Sequence, residues 1–244
     1  MLHYYYNIDA GDKMSLPENF KCVITNWDYI YRLCRKISKE VRSSGYKPDV
    51  IVALARGGWF AGRVLCDFLN LNDLISLKIE HYTGTASPGS GPKIRYPMDE
   101  NMIKGKNVLI VDDISDTGKS MTFAKEYILK YGPKEVRTAT LQHLMCSQSK
   151  ADYVGELLDE WAWVIFPWNF MEDMCEVTGQ VMAKHSLKAW TLEDIKLGLK
   201  KYHQIEPTYF EITQPGRMEE VLGEMEYRGI IRQLGDGIWE PLKH

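Results

Sequence analysis

The apolar positions of this chain alternate between two periodicities. Continuous apolar runs at residues 49–54 (DVIVAL) and 108–111 (VLIV) predict buried strands of a parallel sheet. Helical spacing marks residues 27–41 before the first run and residues 59–68 after it. Strands that alternate with helices in this way predict an α/β fold, a mostly parallel sheet flanked by helices on both faces.

Further strands are predicted around this centre. Apolar runs at residues 22–25, 74–79, 136–144 and 161–166 fit short or half-buried strands. Residues 81–101 between them are polar and rich in Gly and Pro. A loop of about 20 residues within a compact domain is uncommon and usually functional, so we expect this insert to act as a lid.

The composition of the chain changes near residue 185. Residues 191–201 begin with a sequence similar to a capping box, and residues 215–227 have helical spacing. Residues 230–242 predict a β-hairpin with a Gly-rich turn. We therefore expect a first domain at residues 1–185, which includes the insert, and a small α+β, winged-helix-like extension at residues 186–244.

Bulk composition limits the class of protein. The net charge of −3 does not favour general attraction to nucleic acid or to anionic membranes. No apolar run approaches the roughly 18 residues of a membrane-spanning helix, and no secretory signal is visible. The five cysteines are scattered and never spaced as C-x-x-C, which favours free thiols in a reducing compartment. These features predict a cytoplasmic protein.

Residues that can bind a ligand are concentrated directly after the strand at residues 108–111. Asp112 and Asp113 follow it, and residues 116–120 (DTGKS) precede a helix. The N–H groups at a helix N-terminus are unpaired and attract anions, and glycine lets a phosphate approach closely. A Walker A loop is excluded because it requires glycine at position 113. Paired carboxylates beside a phosphate site suit a ribose phosphate with Mg²⁺.

A second loop of the same kind follows the strand at residues 49–54. It consists of Ala55, Arg56, Gly57 and Gly58. The two glycines free backbone N–H groups for a diphosphate, and an arginine guanidinium binds phosphate oxygens in pairs.

These two segments resemble the signatures of type I phosphoribosyltransferases. The segment VDDISDTGKS resembles the phosphoribosyl-pyrophosphate signature, and the segment IVALARGGWFAG resembles the pyrophosphate loop. The resemblance implies that Asp112 and Asp113 hold the ribose hydroxyls, directly or through Mg²⁺. It implies that Asp116 faces N7 of a purine as general acid/base. The 5′-phosphate would be wrapped by Asp116, Thr117, Gly118, Lys119 and Ser120. It further implies a non-proline cis peptide bond near Ala55-Arg56.

A third segment, WVIFPW at residues 163–168, resembles the base-binding segment of archaeal hypoxanthine-guanine and xanthine-guanine phosphoribosyltransferases. By this resemblance Trp163 stacks on the base, and backbone groups around Val164 and Ile165 read its edge. Asn169 stands where similar bacterial enzymes carry an aspartate.

The region that usually carries a lysine for the O6 atom of 6-oxopurines differs in this chain. Residues 139–144 read ATLQHL and hold no lysine. Gln142 or His143 is an alternative contact for the base, and a different base is the other alternative.

The expected function is Mg²⁺-dependent transfer of phosphoribose from 5-phosphoribosyl 1-pyrophosphate to a purine in purine salvage, with a 6-oxopurine favoured and pyrophosphate released. A homodimer or larger homo-oligomer is expected. Alternatives are an enzyme for adenine or another nucleobase, and a transcriptional regulator that senses ligands with the same fold. Four glutamates in residues 215–227 argue against DNA binding by the extension, because they would repel phosphates.

Overall fold

A computed structural model describes residues 19–80, 92–184 and 189–242. These residues divide into two compact units, a first unit at residues 28–160 and a second unit at residues 19–27 together with residues 161–242. The described elements, in chain order, are β1 (Cys22–Ile24), α1 (Trp27–Ser43), β2 (Val50–Ala55), α2 (Gly58–Leu69), β3 (Leu74–Glu80), β4 (Lys93–Ile94), β5 (Asn107–Ser115), α3 (Lys119–Leu129), β6 (Glu135–Leu144), β7 (Tyr153–Leu158), β8 (Trp163–Ile165), α4 (Phe170–Lys184), β9 (Trp190–Thr191), α5 (Leu192–His203), α6 (Pro207–Thr213), α7 (Arg217–Tyr227), β10 (Ile231–Gly235) and β11 (Ile238–Pro241).

The first unit contains a six-stranded sheet in the order β4-β3-β2-β5-β6-β7. All neighbouring strands pair in parallel except β4, which lies antiparallel on the edge of β3. This arrangement confirms the predicted mostly parallel sheet. It also puts the carboxyl ends of β2 and β5, which are direct neighbours, at the same edge, where ligands of α/β sheets bind.

Helices cover both faces of this sheet. On one face Val52 and Ile110 pack in a cluster with Met121, Ala124 and Ile128 of α3. On the other face α2 lies so close that a Cβ on its Gly62 would come within 3.0 Å of Ala53 Cβ. Strands covered on both faces explain the continuous apolar runs from which β2 and β5 were predicted.

Strand β5 is longer than its apolar run. It continues through Asp112 to Ser115 because these residues keep pairing with Thr140, Gln142 and His143 of β6. The two carboxylates therefore belong to a strand held on a neighbour, and their backbone positions are fixed by the sheet.

The described part of the polar insert carries structure of its own. Lys93 and Ile94 pair with Glu80 and Ile79, and a 3₁₀ turn forms at Glu100–Met102. The rest of the insert, residues 81–91, lies outside the described residues, so the lid stays a prediction.

Strand β7 was missed by the sequence analysis. Its sequence, YVGELL, breaks the apolar pattern at Gly155 and Glu156. The glycine has a packing reason, since a Cβ there would lie 2.5 Å from the Leu141 carbonyl oxygen.

The second unit is built on its own core. Strands β1 and β8 pair in parallel, and β10, β11 and β9 form a three-stranded sheet in that order. Buried residues of α4, among them Met174 and Val181, share one cluster with Trp190, Leu199 and Val221 of the C-terminal elements. The division between units therefore lies at residue 160, whereas a boundary at residue 185 was expected. The predicted α+β extension is part of a larger unit.

The helices of this unit agree with the sequence analysis at α5 and α7. The capping box at Thr191 and Asp194 forms, and the hairpin of β10 and β11 follows α7. The short helix α6 was missed, although Pro207 at its first position is a known start signal. Among the described residues no helix is long and apolar enough to cross a membrane.

His203 gives the second unit a dependence on pH. Its side chain is fully buried, Nδ1 lies 3.3 Å from the Phe20 carbonyl oxygen, and Nε2 has no partner within the described chain. Burial lowers the pKa of His203 to about 4, and the charge of Lys184 acts in the same direction. The fold therefore holds the neutral imidazole.

We expect stability to fall as His203 is forced to take up a proton. An unfolded histidine titrates near pH 6.5, so the contribution is complete above about that pH and is lost as the pH falls toward 4. The loss is of the order of 2 kcal/mol. Urea unfolding of the wild type and of His203→Gln between pH 4 and 7 measures it. The variant should show the shallower dependence, and equal slopes would contradict the assignment.

Candidate functional site

The loop that joins β2 to α2 lies directly against the acid pair, Asp112 and Asp113, of β5. A Cβ built on Gly57 would lie 1.6 Å from Asp113 Oδ2, and one built on Gly58 would lie 2.6 Å from the Val111 carbonyl oxygen. Atoms cannot approach so closely. A side chain at position 58 would therefore collide with the backbone of β5, and one at position 57 would displace the Asp113 carboxylate. The structure thus brings together two of the predicted segments, which are 54 residues or more apart in sequence.

The same loop carries the other two predicted residues, Ala55 and Arg56. The peptide bond between them is cis, as the sequence analysis expected. Arg56 is exposed at the carboxyl edge of the sheet. We call residues 55–58 the glycine loop.

The acid pair is organised by short local hydrogen bonds. The Asp113 N–H donates to Asp112 Oδ1 at 3.0 Å, and the Ile114 N–H donates to Asp113 Oδ1 at 2.8 Å. Burial and the neighbouring charge of Asp113 raise the pKa of Asp112 well above its usual range. Two negative charges are therefore unfavourable here without a positive or hydrogen-bonding partner.

The described residues contain no group of three His, Cys, Asp or Glu side chains placed to hold a metal ion. Mg²⁺ is commonly bound through one or two carboxylates and completed by substrate phosphates and water. The acid pair fits that second kind of site, in which the ion arrives with a phosphate ligand.

Residues 116–120, which we call the phosphate loop, precede α3. Gly118 adopts φ 78°, a left-handed conformation that favours glycine, and directly precedes the first residue of the helix. It has no side chain with which to cap the helix N–H groups, and the Lys119 N–H reaches Thr117 Oγ1 only at 3.5 Å. Asp116, Thr117 and Lys119 are exposed. The loop therefore offers backbone donors and a lysine to an anion.

A third loop, not predicted, closes one side of the phosphate loop. Residues 145–152, the serine loop, connect β6 to β7, and the Gln148 N–H donates to the Thr117 carbonyl oxygen at 3.2 Å. A Cβ on Gly118 would lie 2.0 Å from Ser149 Oγ and 2.8 Å from Ser147 Oγ. The available signal in the sequence was a pair of serines just beyond the carboxyl end of the strand next to β5.

The residues predicted to bind the base lie in the second unit. Trp163 is half-buried, with its ring centroid 6.3 Å from that of Phe20, while Val164 and Ile165 are buried. The Ile165 carbonyl oxygen accepts hydrogen bonds from the N–H and the hydroxyl of Thr25, both at 3.0 Å. These contacts describe a well-packed strand, and the role of its residues toward a base stays a prediction.

Asn169 directly precedes helix α4, and its side chain is hydrogen-bonded to residues on both sides of the helix start. Its Oδ1 accepts from the Phe166 N–H at 3.0 Å, and its Nδ2 donates to Asp173 Oδ2 at 2.7 Å. Both ends of the amide therefore have partners within the unit.

The two alternative residues at the end of β6 differ in their surroundings. Gln142 Nε2 donates to Tyr29 Oη at 2.7 Å and to Glu156 Oε2 at 3.2 Å. His143 is buried, and its Nδ1 has no partner within the described chain. Burial lowers the pKa of His143, so the neutral imidazole is favoured. Gln142 Oε1 likewise has no partner within the described chain, so each of the two residues keeps one polar atom available for hydrogen bonding.

Residues 23–173 match the model of the phosphoribosyl transferase domain family. Hypoxanthine-guanine phosphoribosyltransferases from Mus musculus and Pan troglodytes are each 33% identical over 141 residues, which cover 52% of this chain and 63% of theirs. The crystal structure of purine phosphoribosyltransferase from Pyrococcus horikoshii Ot3 is similar with a TM-score of 0.54 and 30% identity, over 61% of this chain and 94% of that one.

The Helicobacter pylori xanthine-guanine-hypoxanthine phosphoribosyltransferase has the same fold at 18% identity, with a TM-score of 0.51 over 64% of this chain and 98% of that one. The fold is thus that of type I phosphoribosyltransferases. Because the family model spans more than half of the chain, this protein belongs to the phosphoribosyltransferase family. The chain spans less than two thirds of the length of the curated relatives it matches.

Gly57→Ala tests the contact between the glycine loop and the acid pair. Gly57 has an ordinary φ of −67°, so the variant introduces no backbone strain. Its methyl group overlaps the Asp113 carboxylate, and we expect a destabilisation of about 1–3 kcal/mol, as for other overpacked sites.

The control is Gly223→Ala in helix α7, where nothing lies within 4 Å of the added carbon. That change should stabilise the helix by up to about 1 kcal/mol. Thermal unfolding compares the two, and a Gly57→Ala protein as stable as the wild type would contradict the described approach.

Proposed function

We propose that this protein transfers the 5-phosphoribosyl group of 5-phosphoribosyl 1-pyrophosphate to a ring nitrogen of a purine, and that its role is purine salvage. The observation that carries the proposal is the contact of the glycine loop with the acid pair at the edge where the phosphate loop also begins. One ligand that needs all three features is a ribose with a phosphate at one end and a pyrophosphate at the other. Membership of the family supports this proposal.

In the proposed reaction the bond from the anomeric carbon to the pyrophosphate oxygen breaks, and a bond to the purine nitrogen forms. Positive charge develops on the ribose ring as in glycoside cleavage. The carboxylates of Asp112 and Asp113 would bind the ribose hydroxyls and oppose that charge. Arg56 and the N–H groups of the glycine loop would bind the departing pyrophosphate.

Mg²⁺ is part of the proposal. Asp112 and Asp113 would hold it, and when bound with the donor the ion neutralises charge on the pyrophosphate. Support for this assignment comes from the raised pKa of Asp112, because a cation relieves the repulsion between the two carboxylates.

Asp116 is the proposed general acid/base. It is exposed at the start of the phosphate loop, two positions before Gly118. Its carboxylate would exchange a proton with N7 of the purine as the new bond forms, so that charge does not accumulate on the base.

For the base itself we propose a 6-oxopurine. The family's usual lysine is absent, and residues 139–144 offer the neutral imidazole of His143 in its place. A neutral imidazole carries one donor and one acceptor nitrogen and can therefore meet an oxopurine edge. The curated relatives named hypoxanthine-guanine phosphoribosyltransferases point to the same class.

A panel of bases tests the proposed function. Donor and Mg²⁺ are incubated with adenine, hypoxanthine, guanine, xanthine, uracil or orotate, and the release of pyrophosphate is followed. We expect release with at least one of hypoxanthine, guanine and xanthine. Release with adenine alone would overturn the base assignment, and no release with any base would overturn the enzyme.

Asp116→Asn separates chemistry from donor binding. We expect turnover to fall by about 10²-fold or more, the usual loss for a general acid/base, because the amide cannot exchange the proton. The dissociation constant for the donor should change by less than about threefold, since the backbone N–H groups of the phosphate loop remain.

Glu126→Gln is the control. Glu126 is exposed on helix α3, and its replacement removes one negative charge, as Asp116→Asn does, so this variant should keep the activity of the wild type. Equal losses in turnover and in donor binding for Asp116→Asn would argue against the proton-transfer role.

A further inference from the structure

The serine loop places hydroxyl groups beside the phosphate loop, outside the residues that the family signature covers. Ser149 Oγ lies closer than any other atom to the position that a Cβ on Gly118 would take, at 2.0 Å. Gly118 is also the residue that immediately precedes helix α3, whose first N–H groups face the proposed phosphate.

The hydroxyl of Ser149 is buried, and within the described chain it has no hydrogen-bond partner. A buried hydroxyl without a partner is unfavourable, and it generally indicates an unseen partner. The neighbouring hydroxyl of Ser147 differs, because it lies 3.2 Å from Ser115 Oγ and is paired within the protein.

The position of the serine loop is fixed from both sides. The Ser147 N–H donates to the Leu144 carbonyl oxygen at 2.9 Å, and the Gln148 N–H donates to the Thr117 carbonyl oxygen at 3.2 Å. Ser149 is therefore held beside the phosphate loop before any ligand binds, so little conformational entropy is lost when its hydroxyl is used.

We propose that Ser149 is a further ligand of the donor's 5′-phosphate, to which its hydroxyl donates a hydrogen bond. This inference rests on the proposed function and adds one recognition residue to it. Ser147 is not part of this proposal, because its hydroxyl is paired with that of Ser115 within the protein. The phosphate would then be bound by backbone donors of the phosphate loop on one side and by a side-chain hydroxyl of a second loop on the other.

Ser149→Ala, with Ser147→Ala as the matched control, tests the assignment by calorimetric titration. The two probes are ribose 5-phosphate, which carries only the 5′-phosphate, and pyrophosphate with Mg²⁺, which addresses the glycine loop. Ser149→Ala should weaken ribose 5-phosphate about tenfold, as expected for one hydrogen bond to a charged group, and leave pyrophosphate unchanged. Ser147→Ala should change either affinity by less than about twofold.

Thermal unfolding of the ligand-free proteins provides the second readout. Ser149→Ala removes a hydroxyl that has no partner, so its unfolding temperature should equal or exceed that of the wild type. A serine with a purely structural role would give a lower unfolding temperature instead.

Three outcomes overturn the inference. The first is an affinity of the Ser149→Ala variant for ribose 5-phosphate within twofold of the wild type. The second is an equal loss of affinity for ribose 5-phosphate and for pyrophosphate. The third is an unfolding temperature of the ligand-free variant below that of the wild type. Failure of the wild type to bind ribose 5-phosphate and to release pyrophosphate from the donor would overturn the proposed function as well. If only the expected effects of Ser149→Ala are not observed, the role of Ser149 is wrong and the proposed function is unaffected.

Discussion

The approach of the glycine loop to the acid pair is the constraint on which the site depends. Parallel pairing of β2 with β5 ends both strands at one edge, and the chain then turns so tightly that the space of a Cβ on Gly57 is filled by Asp113. A larger residue at position 57 would displace the Asp113 carboxylate from this place. The close approach requires two features together, namely a sheet covered on both faces and two glycines where β2 meets α2.

The same closeness explains the electrostatics of the edge. Asp112 and Asp113 are neighbours on one strand, and burial together with mutual repulsion raises the pKa of Asp112. Arg56 and the N–H groups before helix α3 are at the same edge of the sheet. A ligand rich in hydroxyls and phosphates meets both needs, since hydroxyls donate to carboxylates and phosphates accept from N–H groups. The ligand-free edge is thus less stable than it would be with apolar residues, which is common at functional sites.

Local patterns in the sequence sufficed for the central strands and for both loops, because each of these features is encoded within about ten neighbouring residues. The cis peptide bond at Ala55-Arg56 was expected from the resemblance to a family and not from a local pattern. Features that depend on distant contacts were not predictable in this way. Ser149 meets Gly118 across 31 positions, and the packing reason for Gly155 in β7 lies in the neighbouring strand. The boundary at residue 160 follows from a core that α4 shares with elements beyond residue 189, and composition carries no sign of it.

The central claim is that one donor molecule spans the glycine loop, the acid pair and the phosphate loop. A crystal structure of the protein with 5-phosphoribosyl 1-pyrophosphate and Mg²⁺ tests it most directly. The account predicts the 5′-phosphate at residues 116–120, the ribose hydroxyls at Asp112 and Asp113, and the pyrophosphate at residues 55–58. A donor bound elsewhere, or bound with its two phosphate ends away from these loops, would contradict the account.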